Sequence, residues 1–218
     1  MILEQSPKWL RQLERAMPWL AIPRISIILI TLQAFGFLLI SSDPTWATRL
    51  ALFPERVLQQ GEWWRLVTYL SMPLTMGIIW MVFVCWFLYS MLDWLENEWG
   101  SFKTTFYILV SIVLTIAFSL IFSYPVYDVR DFNSTLFLAA ASLFPEQEIS
   151  IFGIIPVKMK YMAYLTAAFI LYRLFTGSWM DRCFMLVIYS NYLLFFGPAM
   201  LTELRDWKRR RDYKNKFR

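Results

Sequence analysis

The chain has 218 residues, 58% of them hydrophobic, with a formal net charge of +5 and a mean hydropathy of +0.47. Soluble globular domains are nearer ~45–50% apolar, so this composition excludes that class and implies an integral membrane protein. The net charge decides less than its placement, because the Lys/Arg bias of the loops sets orientation in a bilayer.

The first 20 residues scatter charges among apolar side chains and lack the sequence of basic region, apolar region and small-residue cleavage site, so no removed signal peptide is expected. Over residues 7–20 the apolar positions recur at helical spacing with Lys8, Arg11 and Arg15 between them, which predicts an interfacial amphipathic helix. Pro23 and Arg24 open a first span over 25–40. The loop over 43–64 carries Trp46, Leu50, Leu52, Phe53 and Val57 among a few charges. Such a loop either lies on the bilayer surface or folds as a small cap outside it.

Residues 61–73, GEWWRLVTYLSMP, place two tryptophans and an arginine directly before an apolar run, a pattern of membrane boundaries. A second span is expected over 66–92, closed by the acidic turn LDWLENEWGS, and a third over 102–122. The next apolar stretch, 132–144, would make about 20 Å of helix, short for a hydrocarbon layer of ~30 Å unless neighbours bury it or the bilayer thins. A loop over 145–160 leads to a fifth, also short, span over 161–174, and a sixth covers 183–201. Cys85 and Cys183 lie inside apolar runs and read as small buried hydrophobes rather than a disulfide pair. The expected organisation is a cytoplasmic amphipathic segment (1–24), a six-helix membrane domain (25–203) and a basic cytoplasmic tail (204–218), in the all-α class.

Six spans put both termini on one side. With that side cytoplasmic, all seven lysines and eight of the fourteen arginines face inward, leaving Arg49, Arg56, Arg65, Arg130, Arg173 and Arg182 outside. Charge placement therefore supports the span count and the orientation together. Tryptophan agrees, since only Trp80 and Trp86 fall well inside a span.

Three stretches carry a resemblance. Trp64-Arg65 is followed by Leu-Val-Thr-Tyr; Leu95-Glu96 is followed by Gly100-Ser101; and ISIFGIIPVKMKYM lies between the fourth and fifth spans. In this order on a six-span chain they resemble the rhomboid superfamily, and its inactive, Derlin-like pseudoprotease branch in particular. The resemblance implies a rhomboid-like bundle with a membrane-surface first loop, in which Trp64, Arg65, Glu96 and Gly100 are structural.

In active members of that family a serine in Gly-x-Ser-Gly on the fourth span works with a histidine on the sixth. A serine hydroxyl is a weak nucleophile until an adjacent base takes its proton. This chain has no histidine. The position matching the nucleophile is Ser134, without flanking glycines, and the position matching the histidine is Asn191 or Ser190. Neither of these is a base near neutral pH. The lysines belong to the cytoplasmic side, away from Ser134, and Asp128, Asp131 and Asp181 are weak bases at an ordinary pKa of ~3.9. The expectation is a pseudoprotease, with an intramembrane serine protease using Ser134 and a non-standard partner as the alternative. For Ser134 itself the plainer reading is a span-end serine bonded to its own helix or a neighbour.

No metal-ligand spacing is present, and neither a metal nor another cofactor is expected. Arg65 and Arg173 should snorkel to the outer surface, or pair with Glu62, Asp128 or Asp181; Glu96 and Glu98 lie close to Lys103 across a hairpin. Asn133, Ser134, Thr135, Ser190 and Asn191 would form one polar patch if the fourth and sixth helices adjoin, offering hydrogen bonds to another transmembrane helix. The expected partners are membrane-protein substrates and phospholipids, with homo- or hetero-oligomers compatible. Nucleic acid is not expected, because one short basic tail is not a groove. The family resemblance implies capture, chaperoning or extraction of membrane proteins, and the short spans suggest local membrane thinning. The lack of an FxGxGxxL box points to a bacterial inner membrane; the terminal KNKFR, similar to a retrieval signal, offers the endoplasmic reticulum as the alternative.

Overall fold

The computed structural model describes residues 8–151 and 155–216. It is a mostly helical membrane protein. Helix α1 (Lys8–Ala16) buries Leu10 and turns Arg11 and Arg15 outward, as its amphipathic pattern requires. A 3-10 turn (Pro18–Leu20) joins it to α2 (Ile25–Ser42). Leu29, Gln33, Gly36 and Ile40 form one buried stripe of α2, while Ile27, Ile28, Phe35 and Leu38 face outward, apolar on both sides as a helix in lipid should be.

The first loop is a folded cap. Its helices α3 (Thr45–Leu50) and α4 (Pro54–Gln60) enclose Leu50, Ala51, Leu52 and Val57. Leu52 and Val126 exchange backbone bonds, which fastens the cap to the loop after the third long helix. Asp43 accepts from both the backbone and the hydroxyl of Thr45, and these bonds hold its carboxyl below the ordinary aspartate range.

The second span does not start at residue 66. Residues 65–71 form the short helix α5 (Arg65–Thr68) and a 3-10 turn (Tyr69–Ser71), and the long helix α6 (Ile78–Trp99) begins only after the break. Pro73 donates no backbone bond, and Gly77, which caps α6 in extended conformation, weakens helix locally. The apolar run is thus two elements, and Tyr69, Leu70 and Ser71 pack inward against α2. At its other end α6 continues through the expected acidic turn to Trp99, and Gly100 reverses the chain at φ 85°, in the region that favours glycine.

Helix α7 (Ser101–Phe122) returns, and α8 (Arg130–Leu143) forms the centre of the bundle with ten of its 14 residues buried. Around α8 stand α6, α9 (Met159–Thr176) and α10 (Trp179–Lys216). Helix α9 is peripheral, with only Met159 fully buried. Helix α10 passes without a break from the expected sixth span into the basic tail; Leu, Glu, Arg and Lys are good helix formers.

The loop before α9 contains a small antiparallel hairpin, β1 (Glu148–Ile151) with β2 (Ile155–Lys158), the one sheet among the described residues and a departure from the expected all-α fold. Its isoleucines and valine favour a pleated surface. At its base Glu146 accepts from Lys160 and Lys158 at 2.6 and 2.9 Å, which holds its carboxyl below the usual range.

The connections gather at two ends. At one, the Ile22 N–H meets Thr105, the Arg24 N–H meets Glu96, and Trp94 lies on Phe144. At the other lie the first-loop cap, Val126, Asp131, Arg173 and Asp181. Among the described residues three helices are long and apolar enough to cross a membrane, residues 18–42, α6 and α7, where the sequence suggested six. Helix α8 would span about 21 Å.

Candidate functional site

Helices α8 and α10 adjoin, but the five polar residues expected to form one patch point into different surroundings. Asn191 is 2% exposed and donates through Nδ2 to the Tyr107 carbonyl (3.0 Å) and the Ser111 hydroxyl (2.7 Å), both on α7. The Tyr107 hydroxyl in turn donates to the Thr135 carbonyl, and the Thr135 hydroxyl donates to Phe132 O in its own helix. Asn133 faces α2, accepting from Gln33 Nε2 at 3.4 Å. Gln33 Oε1 and Asn133 Nδ2 beside that bond, and Asn191 Oδ1, are buried with no partner among the described residues. Ser134 is half-buried, on the side of α8 turned to Tyr189 of α10. Ser190 is exposed and bonds Val187 O.

The division is geometric. Neighbouring helical residues stand about 100° apart, so Asn133, Ser134 and Thr135 cannot share a face. Ser134 instead shares a face with Asp131, three residues earlier. The Tyr189 hydroxyl donates to Asp131 Oδ1 at 3.3 Å, and Arg173 from α9 reaches both Asp131 oxygens. Arg173 therefore pairs with Asp131, not with Glu62, Asp128 or Asp181. Asp181 accepts from the Tyr124 hydroxyl at 2.6 Å and from Ser178. These two carboxylates tie α8, α9, α10 and the loop before α8 together at the end of the bundle carrying the cap. Asp131, Tyr189, Tyr124 and Gln33 were not singled out as binding residues from sequence; the i, i+3 spacing of Asp131 and Ser134 was the available signal.

Of the four residues expected to be structural, Arg65 and Glu96 are tied to neighbouring elements by side-chain bonds. Arg65 is 1% exposed and does not snorkel: its Nη1 donates to Thr48 O (2.8 Å) and Ala51 O (2.7 Å), its Nε meets Glu62, and it lies over the Phe53 ring. Trp64 beside it stays exposed. Glu96 accepts from the Arg24 N–H and from the Ser101 hydroxyl, closing the turn at Gly100. Cys85 and Cys183 are free and half-buried. Among the described residues no three His, Cys, Asp or Glu side chains come together.

A groove of about 570 Å³ runs along α6 past Ile79, Val82, Phe83 and Trp86, with β1 as its other wall. No family model, no curated protein and no solved structure matches the chain.

Proposed function

We propose that the chain is a catalytically inert membrane protein that crosses the bilayer six times in the rhomboid manner and holds other membrane proteins or single transmembrane segments, assisting their quality control, chaperoning or extraction. The observation that carries the inert reading is the commitment of Asn191 to α7. In the position where the resemblance places a catalytic base stands an amide, and it joins two helices instead of facing Ser134. The clustering of alternate connections at opposite ends supports six crossings, with α8 short because its neighbours, not lipid, surround it. Both termini then lie in the cytoplasm, and a bacterial inner membrane is favoured over the endoplasmic reticulum. Client binding draws its support from the groove on α6 and from the apolar outer face of α9, whose 18 residues reach about 27 Å instead of making the short span expected over 161–174.

A second reading, an intramembrane serine protease using Ser134, draws on the nearness of Ser134 to Tyr189, whose hydroxyl donates to Asp131. A phenol with an ordinary pKa of ~10 keeps its proton near neutral pH and is a poor base there, which favours the inert reading. Labelling the full-length protein in detergent with a fluorophosphonate separates the two. The wild type and Ser134→Ala are expected to give the same background. Labelling of the wild type that vanishes in Ser134→Ala would establish an activated serine.

A further inference from the structure

We infer that the free edge of β1 is a docking strand for an extended segment of a partner membrane protein whose transmembrane helix lies along α6; this rests on the client-binding reading. Glu148 stands opposite Lys158, Ile149 opposite Val157, and Ser150 opposite Pro156. In the same register the Met159 N–H donates to Gln147 O at 2.9 Å. Antiparallel pairs alternate between bonded and non-bonded, so residues 149 and 157 carry the ladder while Glu148, Ser150, Pro156 and Lys158 turn their backbone groups outward.

The two outer edges are not equivalent. Pro156 has no N–H to offer and closes the β2 edge to a further strand. On the β1 edge both Glu148 and Ser150 present an N–H and a carbonyl, and neither N–H has a partner among the described residues. Those two residues also wall the groove, opposite Ile79, Val82 and Trp86 of α6. The three lie at i, i+3 and i+7, and all are more than half exposed.

Acyl chains would cover the α6 stripe, but they carry no amides spaced to match Glu148 and Ser150. An extended peptide does, by strand addition. Glu148 is the one ionisable residue lining the groove among those described, and it complements the Lys and Arg that flank transmembrane helices on the cytoplasmic side.

The test reconstitutes the full-length protein in phosphatidylcholine/phosphatidylglycerol vesicles with a single-span reporter. The reporter has a Leu/Ala helix of about 20 residues followed by a Thr-Val-Lys flank repeated once, or by the same flank with proline at alternate positions. The proline flank should weaken capture about tenfold, the loss of one or two net hydrogen bonds. Ser150→Pro, which removes an outward N–H and leaves the ladder intact, should weaken capture of the first reporter similarly, whereas Ser150→Ala should not. The flank comparison needs no variant, so it stands even if Ser150→Pro fails to fold. Equal capture of both reporters by the wild type would overturn strand docking while leaving helix capture in place. Capture of neither would remove the client-binding reading with it, and pairing of β1 with β1 of a second copy would replace the proposed occupant.

Discussion

Arg65→Ala should lower stability by about 3–5 kcal/mol, the range for breaking a buried ionic contact by deleting one partner. Three groups would be stranded at once. The carbonyls of Thr48 and Ala51 would lose their donor inside the cap, and Glu62 would lose its countercharge. Those carbonyls lie on and just after α3, and α4 follows directly, so the fault would spread to Leu52 and its backbone pairing with Val126. Arg65→Lys should recover little, because an ammonium cannot reproduce a planar fork reaching two carbonyls and a carboxylate. Thermal unfolding in detergent, followed by intrinsic tryptophan fluorescence, provides the measurement. A variant that accumulates and melts like the wild type would contradict the structural role of the Trp64-Arg65 motif.

The second large effect is expected at Gly36. There α2 meets the 3-10 turn so closely that an added Cβ would lie 1.8 Å from the Ser71 carbonyl oxygen and 2.7 Å from its carbon. The obstacle is backbone, which cannot rotate away, so α2 and the turn must separate. Overpacking of cores ordinarily costs about 1–3 kcal/mol, and a contact with main chain belongs at or above the top of that range. Separation would also loosen Tyr69 and Leu70 from the core. Leu38→Ala, at an outward position of the same helix, is the matched control, since the Leu38 side chain is 64% exposed. As a surface substitution it should stay within about 0.5 kcal/mol of the wild type. Equal melting of the Gly36→Ala and Leu38→Ala variants would mean that α2 and the turn do not meet as described.

What could be read from the chain divides along physical lines. Long apolar runs reveal themselves by composition, so α2 and α7 fall within two residues of their expected limits. The start of α6 is hidden in the sequence because part of the run before it is apolar for a different reason: Tyr69 and Leu70 pack inward with Ser71 against α2 instead of facing lipid. Pro73 and Gly77 marked the break, but a continuous hydropathy pattern outweighed them. Arg65 shows the same limit from the polar side. An arginine beside tryptophans reads as interfacial, and only the folded cap supplies the carbonyls that make it a buried residue.

The candidate site was less legible than the helices. Ser134 and Asn191 could be placed on adjoining helices, yet the rotation of each helix decides what their side chains meet. Three consecutive polar residues, Asn133 to Thr135, necessarily face three directions. The residues that organise this region, Asp131, Arg173 and Tyr189, come from three helices separated by loops, and no local spacing links them. The hairpin was missed because ISI and IPV are too short to separate from an irregular loop by pattern alone.

The client-binding claim is tested most directly by energy transfer between the donor-labelled full-length protein and an acceptor-labelled single-span reporter in lipid vesicles, with the reporter analysed on a gel afterwards. The account predicts saturable transfer that unlabelled reporter competes away, and a reporter recovered uncut. Transfer no greater than random mixing at the same protein-to-lipid ratio, or a cleaved reporter, would contradict it.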